Sequence, residues 1–379
     1  MAAYNKGLED VIAGESKLGF IDGSKGLLAY CGYPVEVLAK DSSFLETSYL
    51  LLNSILPNKN QLQEFDKALR EKRELPKNIL DIISKFPPNT HPMVSLQAIV
   101  ALLGAFTDDP AAEKKTPLLY ERSLELIARF PTIVAACQRV KNKKDIIAPN
   151  PKLDHSSNFL YMTTGKVPDP EEAHMFDVCL ILHAEHSFNA STFAARVVAS
   201  TLTSLHSSIA AAIGSLYGPL HGGANEKVLE MISQIKSPDT VEKWVLDKFA
   251  KKEKIMGMGH RIYSVKDPRS YILEDMLGRL SKKKNNTKSY EVLKKIEEVT
   301  CREMQKLGKN IWPNVDFFSG ALYTLMEIPS EIFTPVFAIA RISGWCAHVI
   351  EQLKDNKLFR PECEYTGARN LTYASIETR

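Results

Sequence analysis

Two histidines and one aspartate in this 379-residue chain sit in short runs that contain glycine. The runs are Gly218-Pro219-Leu220-His221-Gly222-Gly223-Ala224-Asn225-Glu226, then Gly257-Met258-Gly259-His260-Arg261, then Pro313-Asn314-Val315-Asp316-Phe317-Phe318-Ser319-Gly320. Glycine lets a backbone or a ligand approach closely. Two imidazoles and one carboxylate are enough to take a proton from a carbon acid while two carbonyls are polarised. That is the chemistry of carbon–carbon bond formation through an enolate.

Each run also has a plainer reading. His221 stands just before a helical pattern, where positive potential disfavours its cation. A neutral ring there can donate to a forming enolate, or it can simply cap the helix. His260 follows a Gly-Met-Gly run that lacks the third glycine and the preceding strand of a dinucleotide fingerprint, yet its amides can face a ligand. Arg269, nine residues on in Asp267-Pro268-Arg269, is a fork for a carboxylate or half of a surface salt bridge. Asp316, flanked by aromatics, is expected to be desolvated and unusually basic, or to be the N-cap of a helix starting at Phe317.

His183-Ala184-Glu185-His186 lacks the spacing and third ligand of a zinc site, so no metal is expected. His186 with Asn189-Ala190-Ser191-Thr192 suits a polar pocket wall. Arg341 lies inside the apolar run Val336 to Trp345 and needs a carboxylate from the protein or a ligand. Arg360, before Pro361 in a polar tail, carries no signal by itself. Ser319, His221 and Asp316 could form a triad, but no nucleophile elbow accompanies them.

The elements that must place these residues are mostly helical. Residues 1–40 are punctuated by glycines and predict a small strand or hairpin arm. Beyond them apolar residues recur at helical spacing, with helices expected over 44–55, 60–73, 76–86, 93–106, 116–141, 170–182, 191–216, 223–235, 238–252, 269–282, 289–306, 317–327 and 330–353. The helix over 93–106, polar only at Ser95 and Gln97, is expected to be buried nearly all round. Val197 to Asn225 carries no Asp, Glu, Lys or Arg but many hydroxyls, which favours a buried helix over a membrane span.

The fold class is therefore mainly α. The chain is expected to form a large helical domain, 1–218 with 323–379, and a smaller one, 219–322, with the active-site cleft between them. A net charge of +3 gives no electrostatic case for nucleic acid, and the first residues lack the apolar core of a signal peptide. Six scattered cysteines without a CxxC read as reduced thiols of a cytoplasmic protein.

Taken in order, Phe20-Ile21-Asp22-Gly23, His91-Pro92-Met93, His183-Ala184-Glu185-His186 with Asn189-Ala190-Ser191-Thr192, the His221 run, Gly257 through Arg269 and Asn314-Val315-Asp316 resemble citrate synthase across nearly the whole chain. The resemblance implies a homodimer whose subunits close over acetyl-CoA and oxaloacetate, with no cofactor beyond that co-substrate. It implies citrate formation with water through an enol or enolate and citryl-CoA. Asp316 would be the base, His221 would bond the thioester oxygen, and His260 would polarise the oxaloacetate carbonyl. His186, Asn189, Arg269 and Arg341 would hold oxaloacetate, and Arg360 would reach the neighbouring active site. Lys254, Gly257 and Gly259 would lie against CoA, with Arg261 meeting its phosphates.

Ser264 departs from the basic residue of many short members and bears on CoA contact. Propionyl-CoA use, as in 2-methylcitrate synthase, is the alternative, since one methylene gives only about 10–200-fold discrimination. A non-catalytic helical scaffold is disfavoured by the intact His221, His260 and Asp316. No NADH-responsive N-terminal domain is expected.

Overall fold

A computed structural model describes residues 5–107 and 116–379 of the chain. Three short antiparallel strands come first, β1 (Gly19–Asp22), β2 (Leu27–Tyr30) and β3 (Tyr33–Pro34), in the order β1-β2-β3. Gly19 faces Tyr30 and Asp22 faces Leu27. The Asp22 carboxylate accepts the amides of Ser24 and Lys25 at 3.1 and 3.2 Å and so shapes the tight turn.

Sixteen α-helices follow among the described residues. They are α1 (Val35–Asp41), α2 (Phe44–Asn53), α3 (Lys59–Lys72), α4 (Lys77–Ile83), α5 (Pro92–Gly104), α6 (Thr116–Lys141), α7 (His155–Thr164), α8 (Pro170–His183), α9 (Ala190–Ser200), α10 (Leu205–Tyr217), α11 (Ala224–Ser233), α12 (Val241–Ala250), α13 (Pro268–Lys283), α14 (Lys288–Lys306), α15 (Val315–Leu325) and α16 (Phe333–Lys354). Caps are local and chemical. Ser43 accepts the Glu46 amide, Asn58 and Gln61 form a reciprocal box, and Asp154 and Asp169 cap α7 and α8.

The helix expected over 191–216 is two helices. Leu202 takes a left-handed backbone, φ 64°, and Ser204 caps α10 by accepting the Ser207 amide. Hydroxyls at Ser200 and Thr201 bond carbonyls three residues back, which supports a helix end. The helices α1 and α7 were not expected; α7 hides behind the polar string His155-Ser156-Ser157-Asn158, all of it buried. On α5, Val94, Ala98 and Ala101 face outward, so that helix is not buried all round.

Helix α16 is the central strut. Every residue from Phe333 to Ile350 is buried, and α2, α6, α8, α9 and α10 pack around it. Among the described residues, 330–354 is the stretch long and apolar enough to cross a bilayer, and its apolar window is enclosed by the fold. Helices α11 to α15 pack on one another, and reach the rest chiefly through α11 on α16 and α13 on α1 and α8. The boundary expected at 322/323 falls inside the unbroken α15; the chain turns after Leu325.

Candidate active site

Asp316 is the second residue of α15 and does not cap it. Asn314 does, accepting the Asp316 amide at 3.0 Å. The same asparagine binds the glycine loop. Its backbone N–H donates to Gly257 O at 2.9 Å and its side chain to Gly259 O at 2.9 Å, while the Gly259 amide donates to Trp312 O at 2.7 Å. Gly257 has φ 75°, and a Cβ there would stand 2.9 Å from Phe317 Cα. Glycine is therefore required where the His260 loop lies against the Asp316 helix.

The Asp316 carboxyl is buried and, among the described residues, its Oδ1 has no hydrogen-bond partner. Burial pushes its pKa up to about 7, although Arg269 and Arg341 pull the other way. An unpartnered carboxylate of raised basicity is what a carbon acid requires of a base.

The histidines have assignable tautomers. His221 Nε2 accepts the Ser191 amide at 3.2 Å and lies 2.9 Å from the Ser191 hydroxyl. An amide can only donate, so the neutral ring carries its proton on Nδ1. Ser191 is the second residue of α9, so the helix terminus facing Nε2 is that of α9, not only the following α11. Burial, with Arg341, pushes His221 down to about 4. Trp345 on α16 donates to Ser191 Oγ at 3.2 Å and steadies this contact. His260 Nδ1 accepts the amides of Ile262 and Tyr263 at 3.0 and 3.2 Å, leaving its proton on Nε2. Burial, with Arg269, brings it down to about 4. His186 lies 5.5 Å from His260, ring to ring, and its Nε2 is 3.1 Å from the Tyr263 hydroxyl. Burial, then Arg269, His260 and Arg341, holds it well below the usual histidine range.

Arg269 is no surface salt bridge. Its Nε and Nη2 donate to the two oxygens of buried Asp267 at 3.0 and 2.7 Å, and Asp267 also caps α13. Burial alone would lower its pKa; Asp267 overrides that and raises it. Arg341 donates Nε to His183 O at 2.7 Å, and among the described residues its buried Nη1 has no partner. Burial lowers Arg341 to about 10, opposed by Glu185 and Tyr30. Both arginines act electrostatically on Asp316 and His186, and two cations so placed suit a ligand with two carboxylates.

Helix α16 fixes the turn that bears His186 at successive points. Arg341 meets His183 O, the bare Gly344 backbone meets Ala184 O (a Cβ there would lie 2.3 Å from it), and His348 Nε2 bonds Glu185 Oε1 at 3.0 Å. Asn189 differs from expectation. Its Oδ1 accepts from Ser191 Oγ and the Thr192 amide, and its Nδ2 donates to Thr192 Oγ1, so it shapes the pocket wall from behind instead of offering its amide to a ligand.

Lys254 and Arg261 are exposed on the loop around His260. Gly257 and Gly259 are tied to the 312–317 segment, so the Gly259 amide is not free for a ligand. Arg360 is exposed in the tail, donates to Pro361 O and does not join the other residues. Tyr263, Asn314, Ser191 and Glu185 all make bonds in and around the candidate site; the sequence offered Ser191 only within the Asn189-Ala190-Ser191-Thr192 wall, Glu185 only within the His183–His186 run and Asn314 only beside Asp316, and gave no signal for Tyr263. Among the described residues no group of three His, Cys, Asp or Glu is placed to hold a metal.

The family profile described as "Citrate synthase, C-terminal domain" matches residues 7–362. The citrate synthase of Deinococcus radiodurans is 46% identical over 380 residues, covering 100% of both chains. The citrate/2-methylcitrate synthase of Bacillus subtilis is 38% identical over 375 residues, 97% of this chain and 98% of the relative. A solved structure from Thermoplasma acidophilum, described as citrate synthase in a ternary complex with carboxymethyl coenzyme A and oxaloacetate, superposes with a TM-score of 0.93 at 33% identity, covering 100% of both chains. The fold, the ordered motifs and these full-length matches agree, and the chain belongs to the citrate synthase family.

Proposed function

We propose that the chain condenses acetyl-CoA with oxaloacetate and water to give citrate and CoA. The observation that carries this is Asp316: a buried carboxyl with an unpartnered oxygen, set among neutral histidines and two arginines. Asp316 takes a methyl proton from acetyl-CoA. His221 Nδ1–H bonds the thioester oxygen and stabilises the enol or enolate as charge moves onto it. The nucleophilic carbon attacks the ketone of oxaloacetate, whose oxygen is polarised by His260 Nε2–H. Arg269, Arg341 and His186 hold the oxaloacetate carboxylates. Water then cleaves the thioester of citryl-CoA, releasing citrate and the free thiol, and that hydrolysis drives the sequence forward.

Closure of helices α11 to α15 against the remainder excludes water until condensation has occurred. The smaller unit begins at Pro219 and ends at the turn after α15. Lys254 and Arg261 meet CoA phosphates at the mouth. A homodimer is supported by the exposed tail, with Leu371 79% and Tyr373 83% accessible, and by the outward apolar stripe of α5. In that dimer Arg360 completes the neighbouring site. The six unpaired cysteines support a reducing, cytoplasmic setting.

The test is thiol release from acetyl-CoA with oxaloacetate, run beside propionyl-CoA. Oxaloacetate-dependent release with a higher kcat/KM for acetyl-CoA is expected. A higher value for propionyl-CoA would transfer the assignment to 2-methylcitrate formation, and no release with either would remove it.

A further inference from the structure

The three site histidines share a pattern. Each presents one ring nitrogen to a protein group, and among the described residues the other nitrogen has no hydrogen bond to the protein. For His221 and His260 those protein groups are amides, which only donate, so the tautomers follow directly. For His186 the group is the Tyr263 hydroxyl, 3.1 Å from Nε2, which can donate or accept.

The surroundings decide between the two. Tyr263 is 5% exposed, and among the described residues its hydroxyl has no other hydrogen-bond partner. A buried phenol must place its proton on an acceptor, and the Nε2 lone pair of a neutral imidazole is the acceptor at hand. His186 is kept neutral because it is buried beside Arg269 and Arg341. Tyr263 is itself fixed by His260: its amide donates to His260 Nδ1, and the two rings lie 4.7 Å apart. Its hydroxyl then reaches from the loop before α13 to the turn between α8 and α9, 77 positions away in sequence.

We infer that Tyr263 is a positioning residue whose hydroxyl donates to His186 Nε2, holds that ring in the Nδ1–H tautomer and turns the N–H toward the bound oxaloacetate. The inference rests on the proposed reading for the identity of the ligand, but the tautomer belongs to the protein alone. Its consequence is a site that polarises its substrates with three neutral imidazoles and no imidazolium, cationic charge coming from the arginines.

Tyr263→Phe removes the hydroxyl and keeps the ring between the two histidines. The KM for oxaloacetate is expected to rise roughly fivefold, as for loss of one hydrogen bond, with kcat and the KM for acetyl-CoA within about twofold and a melting temperature only a few degrees lower, as for one buried bond. Nitrogen-15 spectra of the histidine side chains should show His186 protonated on Nδ1 in the parent and a mixture of tautomers in Tyr263→Phe. A parental KM for oxaloacetate in the variant, or a parent spectrum with the His186 proton on Nε2, would overturn the inference. If the parent gives no oxaloacetate-dependent thiol release, the functional reading fails instead, and the spectra of the two proteins still decide the role of Tyr263.

Discussion

The side chain of Asn314 donates to the carbonyl oxygen of Gly259 at 2.9 Å, and through that bond the loop bearing His260 is held to the helix bearing Asp316. The same residue caps α15 through its Oδ1. One asparagine therefore sets the spacing between the proposed base and the proposed carbonyl polariser. Asn314→Ala is expected to lose about 1 kcal/mol of stability as a lost cap. It is also expected to lower kcat by about tenfold or more, because both groups lose their mutual reference. Denaturant unfolding and steady-state kinetics on one preparation check this; a stability loss with unchanged kcat would confine Asn314 to capping.

Asp316 links activity to pH with a definite sign. Its folded pKa is raised from 3.8 to about 7. As a base it acts ionised, so kcat/KM should rise as pH passes about 7 and level off above it. For stability the raised value works in the opposite sense. Between 3.8 and about 7 the folded state binds the extra proton, so this group's contribution is full below 3.8 and is lost as pH rises through about 7. Asp316→Asn should abolish activity by a factor of roughly a hundred or more, yet melt at or above the parent at pH 8. A lower melting point for Asp316→Asn at pH 8 would show that the carboxylate is structurally satisfied.

The candidate residues His221, His260 and Asp316 stood out because their runs contain glycine, and in the fold some glycines around the site have a steric reason. Gly257 meets the Phe317 backbone and Gly344 meets Ala184 O, and in both places a Cβ has no room. The helices were legible from apolar spacing, since α16 and its neighbours bury continuous faces. The interruption at 201–204 was not, because nothing marks a left-handed Leu202 except the tertiary packing that favours it. Helix α7 was missed because its buried first turn is polar; the Asp154 cap and Asn158, which accepts the Asn150 amide at 2.8 Å, satisfy groups that composition reads as a loop. Ser191 was read as pocket wall but not as the partner of His221, and Tyr263 carried no signal, because each acts on a histidine that only folding brings near. Arg341 could be foreseen as needing a partner, but not that half of its need is met by His183 O.

Arg341 makes that half-met need measurable. Its Nε is used and its Nη1 is buried without an acceptor, so a bound carboxylate gains a desolvated, charge-assisted bond. Lysine cannot bond His183 O and a ligand in the same geometry. Arg341→Lys should raise the KM for oxaloacetate by roughly 10-fold to 150-fold, the range of a lost charged hydrogen bond, while the KM for acetyl-CoA stays within about threefold. Arg341→Met should fold with a stability close to the parent, since a buried, partly unpartnered cation contributes little net stability. A large loss of stability in Arg341→Met would move the residue from binding to architecture.

Arg360 lies outside the site of its own chain, so its proposed role requires a second subunit. The tail leaves α16 past Asn356, which donates to Ser200 O, and residues 361–379 are exposed throughout. If the dimer forms as proposed, an Arg360→Ala subunit keeps its own Asp316 and lacks only a neighbour's arginine. An Asp316→Asn subunit supplies that arginine and lacks its own base. Each variant alone should be nearly inactive. Unfolded together in equal amounts and refolded, they assort so that half the dimers are mixed and one site in each mixed dimer is complete. Activity should therefore return to about a quarter of the parental value per site. Recovery to that level requires Arg360 to act in trans; a fully active Arg360→Ala alone would place Arg360 outside catalysis, and no recovery, with mixed dimers confirmed by mass spectrometry, would return it to its own chain.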